Sequence, residues 1–225
     1  MKRYITYFVI CAFSVPQNFS RVSQASDQKT TDGSFVYNLK CDDSPNREDF
    51  SYACIRNRAI HAAVAFDINP KLLLCIFRQE TGGTYRLDLS KGNGKGLAQL
   101  TMPAINEFDD QINNLKFSYS TEIRKSFFEY YNRLNTHNLT NINLKDDHFA
   151  FKIDPFKRDD SIVAASVLIK TLQYRYGIKE YKELAKHYNG SYLKIEYSEN
   201  VEICMKNFAL VERYEQGRYF KVASK

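Results

Sequence analysis

Three short segments hold the residue types that could do chemistry. They are Phe77-Arg78-Gln79-Glu80-Thr81-Gly82-Gly83, Gly94-Lys95-Gly96-Leu97-Ala98-Gln99-Leu100-Thr101, and Ala185-Lys186-His187-Tyr188-Asn189-Gly190 with Tyr197 after it. Glu80 follows an apolar run and precedes a Gly-Gly pair, which predicts a place near the C-terminal end of a helix. Burial against the apolar face and the negative helix end both disfavour its ionised form and raise its pKa. A carboxyl that keeps its proton near neutral pH is a general acid. Gln99 offers both a donor and an acceptor. Gly94 and Gly96 let a backbone come close to a bound molecule, although loop glycines more often serve only as turns. Asn189-Gly190-Ser191 also reads as a glycosylation sequon.

The order and spacing of these segments resemble the catalytic domain of the soluble lytic transglycosylases, relatives of goose-type lysozyme. The resemblance covers about residues 58–103 and 154–205. It includes an Asn-Pro pair (Asn69-Pro70) before the Glu and an Asp-Pro pair (Asp154-Pro155) before the late helices. It implies a lysozyme-like α domain in which Glu80 is the catalytic acid/base. Thr81 stands where the family usually has Ser. Gly96 and Gln99 match the Gly-Leu-Met-Gln motif, whose Gln binds substrate, with Ala98 in place of Met. Tyr188 and Asn189 match the Tyr-Asn pair that lines the cleft, and Tyr197 the Tyr that holds the catalytic carboxyl. The implied substrate is the peptidoglycan glycan strand, and no cofactor or metal is implied.

Cutting a glycosidic bond requires protonating the leaving oxygen, and ordinary glycosidases use two carboxyl groups for the whole reaction. The family resembled works with one, which acts as acid and then as base on the sugar's own 6-hydroxyl. That route leaves a 1,6-anhydro-muramic end. Asp88, Asp109 and Asp110 are candidates for a second carboxylate, but nothing in the sequence singles one out. Three readings stay open from the sequence: a lytic transglycosylase, a lysozyme-type hydrolase acting on ordinary or deacetylated peptidoglycan, and a cell-wall binding module without catalysis.

The elements that must position these residues are helical. Phe50, Ala53, Cys54, Ile60, Ala63 and Val64 recur at helical spacing from about 47 to 66. Asn69 caps a helix with Pro70 in its first turn, and that helix ends near Glu80. Residues 88–95 read as a loop, and Thr101 or Pro103 opens a short helix. The stretch 106–153 is an enlarged insertion with a helical run over 120–134. Helices are expected over 161–176, stopped by Gly177, and over 179–188; Ser198 is expected to cap a last helix through Glu212. No β alternation or internal repeat stands out. The fold class is mainly α, with a short non-regular N-terminal extension over 26–46 and one domain over 47–225.

The first residues read as an export signal over 1–25: Lys2 and Arg3, an apolar run, then Ser23-Gln24-Ala25 for cleavage. The apolar run is too short for a permanent membrane span. The 225-residue chain carries a formal charge of +6; removing 1–25 takes away Lys2, Arg3 and Arg21 and no acid, leaving +3. That mild excess fits an anionic cell wall and does not indicate nucleic acid. Location is expected to be periplasmic or secreted, and a secretion or envelope machine would use the same chemistry. Cys11 leaves with the signal, so four cysteines remain, with three connectivities open. Four scattered His and no CxxC pair argue against a zinc site. Cys41 and Cys54 are close in sequence and are expected to pair. Because the resemblance brings Tyr197 to Glu80, Cys75 and Cys204 are expected to pair as well.

Overall fold

The computed structural model describes residues 52–134, 143–144, 149–190 and 194–222, together with 28–29 and 35–36. The chain divides into two compact units, Met1–Asn38 and Leu39–Lys225. In the first, β1 (Gln28–Lys29) pairs antiparallel with β2 (Phe35–Val36), so the extension expected to be non-regular contains a short β pairing. The expected signal cleavage site and Cys41 lie outside the described residues.

The second unit is helical. Its described elements are α1 (Tyr52–Phe66), α2 (Pro70–Thr81), β3 (Ser90–Lys91), β4 (Gly94–Lys95), α3 (Met102–Ile112), α4 (Ser120–Leu134), α5 (Arg158–Tyr176), α6 (Tyr181–Asn189), α7 (Lys194–Lys206) and α8 (Phe208–Val222). The mainly α class therefore holds. Residues 88–95, expected as a plain loop, close into the two-stranded β3–β4 hairpin.

α2 is apolar on all sides from Leu72 to Phe77 and is accordingly buried, packed against α1 and α7. Its ends are set locally. The Asn69 side chain accepts from the Lys71 N–H at 2.9 Å, and Pro70 supplies a pre-set φ in the first turn. Gly82 closes the helix in the left-handed conformation at φ 62°, its N–H directed to the carbonyls of Arg78 and Gln79. Glu80 thus sits in the last turn. On α1, Val64 is 55% exposed, so it lies off the apolar face expected for it.

The described residues of the 106–153 stretch contribute to the core. α4 packs on α1 and α3. Arg124, fully buried, donates to the carbonyls of Ile112 (2.6 Å), Leu144 (2.9 Å) and Asn113 (3.0 Å), which satisfies a charge that would otherwise be costly to bury. The rings of Phe108, Phe127, Tyr131 and Phe151 pack around one another. The Tyr131 hydroxyl donates to Asp160 at 2.8 Å and fastens α4 to the start of α5.

Two helix boundaries differ from expectation. Ser161 does not open α5, which begins at Arg158; it lies in the first turn, fully buried. Ser198 does not cap a helix. It lies inside α7, its hydroxyl donating to the Ile195 carbonyl at 2.8 Å, which a helical Ser can do without breaking the helix. The break falls at Asn207, and the last helix runs from Phe208.

Cys75 on α2 and Cys204 on α7 form a disulfide, with Cα atoms 5.8 Å apart, as expected. Cys54 is also disulfide-bonded; the Cys41 expected to pair with it lies outside the described residues. Among the described residues no helix is long and apolar enough to cross a membrane.

Candidate active site

Glu80 projects half-buried from the last turn of α2, and its Oε1 accepts a hydrogen bond from the Tyr197 hydroxyl at 2.8 Å. Tyr197 comes from the first turns of α7, where it is 6% exposed. The Cys75–Cys204 bridge ties the same two helices, five residues before Glu80 and seven after Tyr197. Burial pushes the Glu80 carboxyl up to about 7; the Tyr197 hydrogen bond and the nearby Lys91 ammonium pull it down without cancelling the shift. Burial, followed by the charge of Glu80, holds the Tyr197 and Tyr188 hydroxyls well above their ordinary range. Tyr197 is therefore a donor at any working pH.

Beside Glu80 lies a cleft of about 240 Å³. One wall is the β3–β4 hairpin, with Lys91 and Asn93. The turn 98–101 forms the floor. Ala104, Leu168, Tyr188 and Asn189, from α3, α5 and α6, close the other side. Lys91 Nζ donates to the Glu80 backbone carbonyl at 3.2 Å, spanning from the hairpin to the end of α2.

The turn after β4 is built from contacts among its own residues and from α5. Gly96 has φ 73°, and a Cβ there would lie 1.7 Å from the Pro155 carbonyl oxygen. A glycine is needed there because the chain packs directly against the Asp154-Pro155 segment. The Ser161 hydroxyl accepts from the Ala98 N–H at 3.0 Å, and the Tyr188 hydroxyl donates to the Ala98 carbonyl at 3.0 Å. Gln99 has φ 47°, unusual for a residue with a side chain. Its Nε2 donates to the carbonyls of Leu89 (3.1 Å) and Gly96 (2.6 Å), and its Oε1 accepts from the Lys91 N–H at 3.1 Å. The carboxamide lines the cleft, but its hydrogen-bonding groups are turned to the hairpin backbone.

Of the residues singled out from the sequence, Glu80, Gln99, Tyr188, Asn189 and Tyr197 meet in one place. Thr81 does not join them. It is 3% exposed, and its hydroxyl donates to the Phe77 carbonyl (2.7 Å) while accepting from the Tyr85 N–H (3.0 Å), which locks the chain leaving α2. Gly96 is not among the residues that line the cleft. The three candidate second carboxylates are engaged elsewhere. Asp88 pairs with Arg86 at 2.8 and 2.5 Å, Asp110 with Lys116 at 2.7 Å, and Asp109 accepts from Asn113 at 2.7 Å. Among the described residues, Glu80 is the only carboxylate that lines the cleft. Lys91, Asn93 and Ser161 were not anticipated. The sequence Lys91-Gly92-Asn93-Gly94 does signal a tight turn, and a turn that borders a cleft is a place to look for a cation.

Among the described residues no group of His, Cys, Asp and Glu is arranged to hold a metal ion. No family model, no curated protein and no solved structure matches the chain.

Proposed function

We propose that the protein is an exported peptidoglycan-cleaving enzyme with a lysozyme-like α domain. It cuts the β-1,4 bond between N-acetylmuramic acid and N-acetylglucosamine with a single carboxyl group. The reading rests on one observation: a carboxyl pushed up to about 7, held by a buried tyrosine, in a cleft that no other described carboxylate lines.

With that arrangement, protonated Glu80 donates its proton to the glycosidic oxygen as the C1–O bond breaks. The carboxylate left behind accepts the Tyr197 hydrogen bond and feels the Lys91 charge, both of which favour its ionised form. It then removes the proton from the 6-hydroxyl of the same muramic residue. O6 closes on C1, giving a 1,6-anhydro ring and returning Glu80 to its acid form. Each proton given is regained, and no water is consumed. A two-carboxylate hydrolysis requires a second carboxylate, and among the described residues Glu80 alone lines the cleft, which favours the single-carboxyl route. Tyr188 and Gln99 shape the cleft by fixing Ala98 and the hairpin.

Mass spectrometry of the muropeptides released from purified sacculi tests this. Anhydro ends, lighter by one water than reducing ends, are expected. Reducing ends alone would establish a hydrolase, and an absence of released fragments would leave only wall binding.

A further inference from the structure

The cleft carries one charged group, besides Glu80, that takes and gives no proton in the single-carboxyl chemistry. Lys91 is exposed at the hairpin rim and lines the cleft. Its ammonium has three donors, and among the described residues one of them is used, on the Glu80 backbone carbonyl at 3.2 Å. Its Nζ has no carboxylate partner among the described residues, whereas Lys116, Lys182 and Lys206 on the surface each have at least one. Its backbone is not free to drift, because the Lys91 N–H is fixed by the Gln99 carboxamide. The other groups lining the cleft, apart from Glu80, are amides, hydroxyls, glycine and apolar side chains.

The charge balance of the cleft depends on the state of Glu80. Below about pH 7 its carboxyl is protonated, which is the form needed to start the reaction. In that state Lys91 is the only charged side chain among the described residues that line the cleft, so the cleft presents a net positive charge to the incoming glycan. The ammonium lies against the backbone of the residue that gives the proton. An anion bound there belongs to the sugar being cut or to its immediate neighbour.

We propose that Lys91 is a specificity-determining residue that binds a carboxylate carried on the muramic unit at the scissile bond. The proposal rests on the glycan-cleaving reading above. Muramic acid carries a lactyl carboxylate on O3. In peptide-bearing strands that group is an amide and uncharged, and the remaining carboxylates lie farther out on the stem peptide. In peptide-free strands it is an anion next to the reacting ring. The lactyl group is the source that fits the short distance between Lys91 and Glu80. A peptide-free substrate would be supplied by hydrolysis of the lactyl–peptide amide bond.

The test compares the wild-type protein with Lys91→Met, which keeps most of the aliphatic stem and removes the charge. Three substrates are used: peptide-free muramyl strands, the same strands with their carboxyl groups methyl-esterified, and peptide-bearing strands. Lys91→Met is expected to lower kcat/KM on the free acid about tenfold relative to the ester, as for loss of one charge-assisted hydrogen bond. Added salt should weaken the wild-type preference in the same direction. A relative loss on peptide-free strands assigns the lactyl carboxylate; a relative loss confined to peptide-bearing strands assigns a stem carboxylate. An equal loss on acid and ester overturns the proposal, since Lys91 would then act only through Glu80 or the hairpin. Calorimetric binding of acid and ester strands to Glu80→Gln, with and without Lys91→Met, gives a readout independent of turnover. If the wild type cleaves none of the strands, the glycan-cleaving reading fails. If Glu80→Gln binds acid and ester equally, the carboxylate site fails.

Discussion

Replacing Glu80 with Gln should remove cleavage and make the folded protein more stable above neutral pH. In the unfolded chain the carboxyl releases its proton near 4.5, and in the fold only near 7. Between these values the native state holds a proton that the unfolded state has lost, so stability falls as pH rises. The stability is complete below about 4.5, declines through the interval, and the loss is complete above about 7. The interval corresponds to an upper bound of about 3 kcal/mol at 1.36 kcal/mol per pH unit. Glu80 is only half-buried and faces a solvated cleft, which reduces the expected value to about 1–2 kcal/mol.

Gln keeps the shape, and its Oε1 can still accept from Tyr197, so the substitution removes the ionisation and little else. Thermal or urea unfolding of both proteins at pH 4 and pH 8 measures the effect. Near-identity is expected at pH 4. At pH 8 the variant should melt about 2–8 °C higher, taking about 2–4 °C per kcal/mol for a chain of this size. Other titrating groups, such as the partly buried His61 whose pKa burial lowers, are common to both proteins and cancel in the difference. The same preparations should show cleavage reduced by at least about a hundredfold. A variant less stable at pH 8, or equally shifted at both pH values, would show that Glu80 is not held out of water as described.

Tyr197→Phe removes a hydrogen bond that favours the ionised Glu80, so the upper limb of the pH–rate profile should move to higher pH while the peak rate falls about tenfold; an unmoved limb would refute the coupling. Gln99→Ala breaks three bonds to backbone groups and should cost about 1–3 kcal/mol in urea unfolding, with a smaller loss of cleavage than Glu80→Gln. Unchanged stability would mean that the carboxamide faces substrate instead. Gly96→Ala drives a methyl group into the Pro155 carbonyl and should cost more than about 2 kcal/mol, read in the same assay. Cys204→Ser should lower stability by about 2–4 kcal/mol and abolish the effect of reductants on the α2–α7 contact, as followed by hydrogen exchange of α7.

What was legible in the sequence was local. Asn69-Pro70 and Gly82 bound α2 through contacts within a few residues, so the position of Glu80 in the last turn could be read directly. The helical run over 120–134 carried its own periodicity and forms α4. Contacts between distant segments were legible only where a motif supplied them. The meeting of Tyr197 with Glu80, and with it the Cys75–Cys204 bridge, came from the resemblance and not from spacing. The directions of side chains were not legible. A Gln in a loop can face ligand or backbone, and only the left-handed conformation of Gln99 turns its amide onto Leu89, Gly96 and Lys91. Gly96 looked like an approach point for a ligand because its neighbour Pro155 is 59 residues away. Ser198 looked like a cap because a serine before a charged run offers the same acceptor in either role, and tertiary packing of α7 decided it.

For the proposed reaction, the arrangement around Glu80 resolves two opposed demands. An acid that gives a proton and then takes one back must not be too weak or too strong, and the operating pH sets where it should sit. Burial at the end of α2 alone would push the carboxyl further up than about 7 and leave it a poor donor. Tyr197 and Lys91 oppose that shift from two sides, one through a hydrogen bond and one through its charge. Neither can itself take the proton during the reaction, because the Tyr197 hydroxyl is held protonated by its own burial and the ammonium has no lone pair. The balance survives only if the distances survive. The disulfide holds α2 to α7 and so fixes the tyrosine, while Gln99 holds the hairpin and so fixes the lysine. The two braces act on different sides of the cleft, so loosening either one should move the pH profile of the proposed reaction without abolishing it, whereas loss of Glu80 should abolish it.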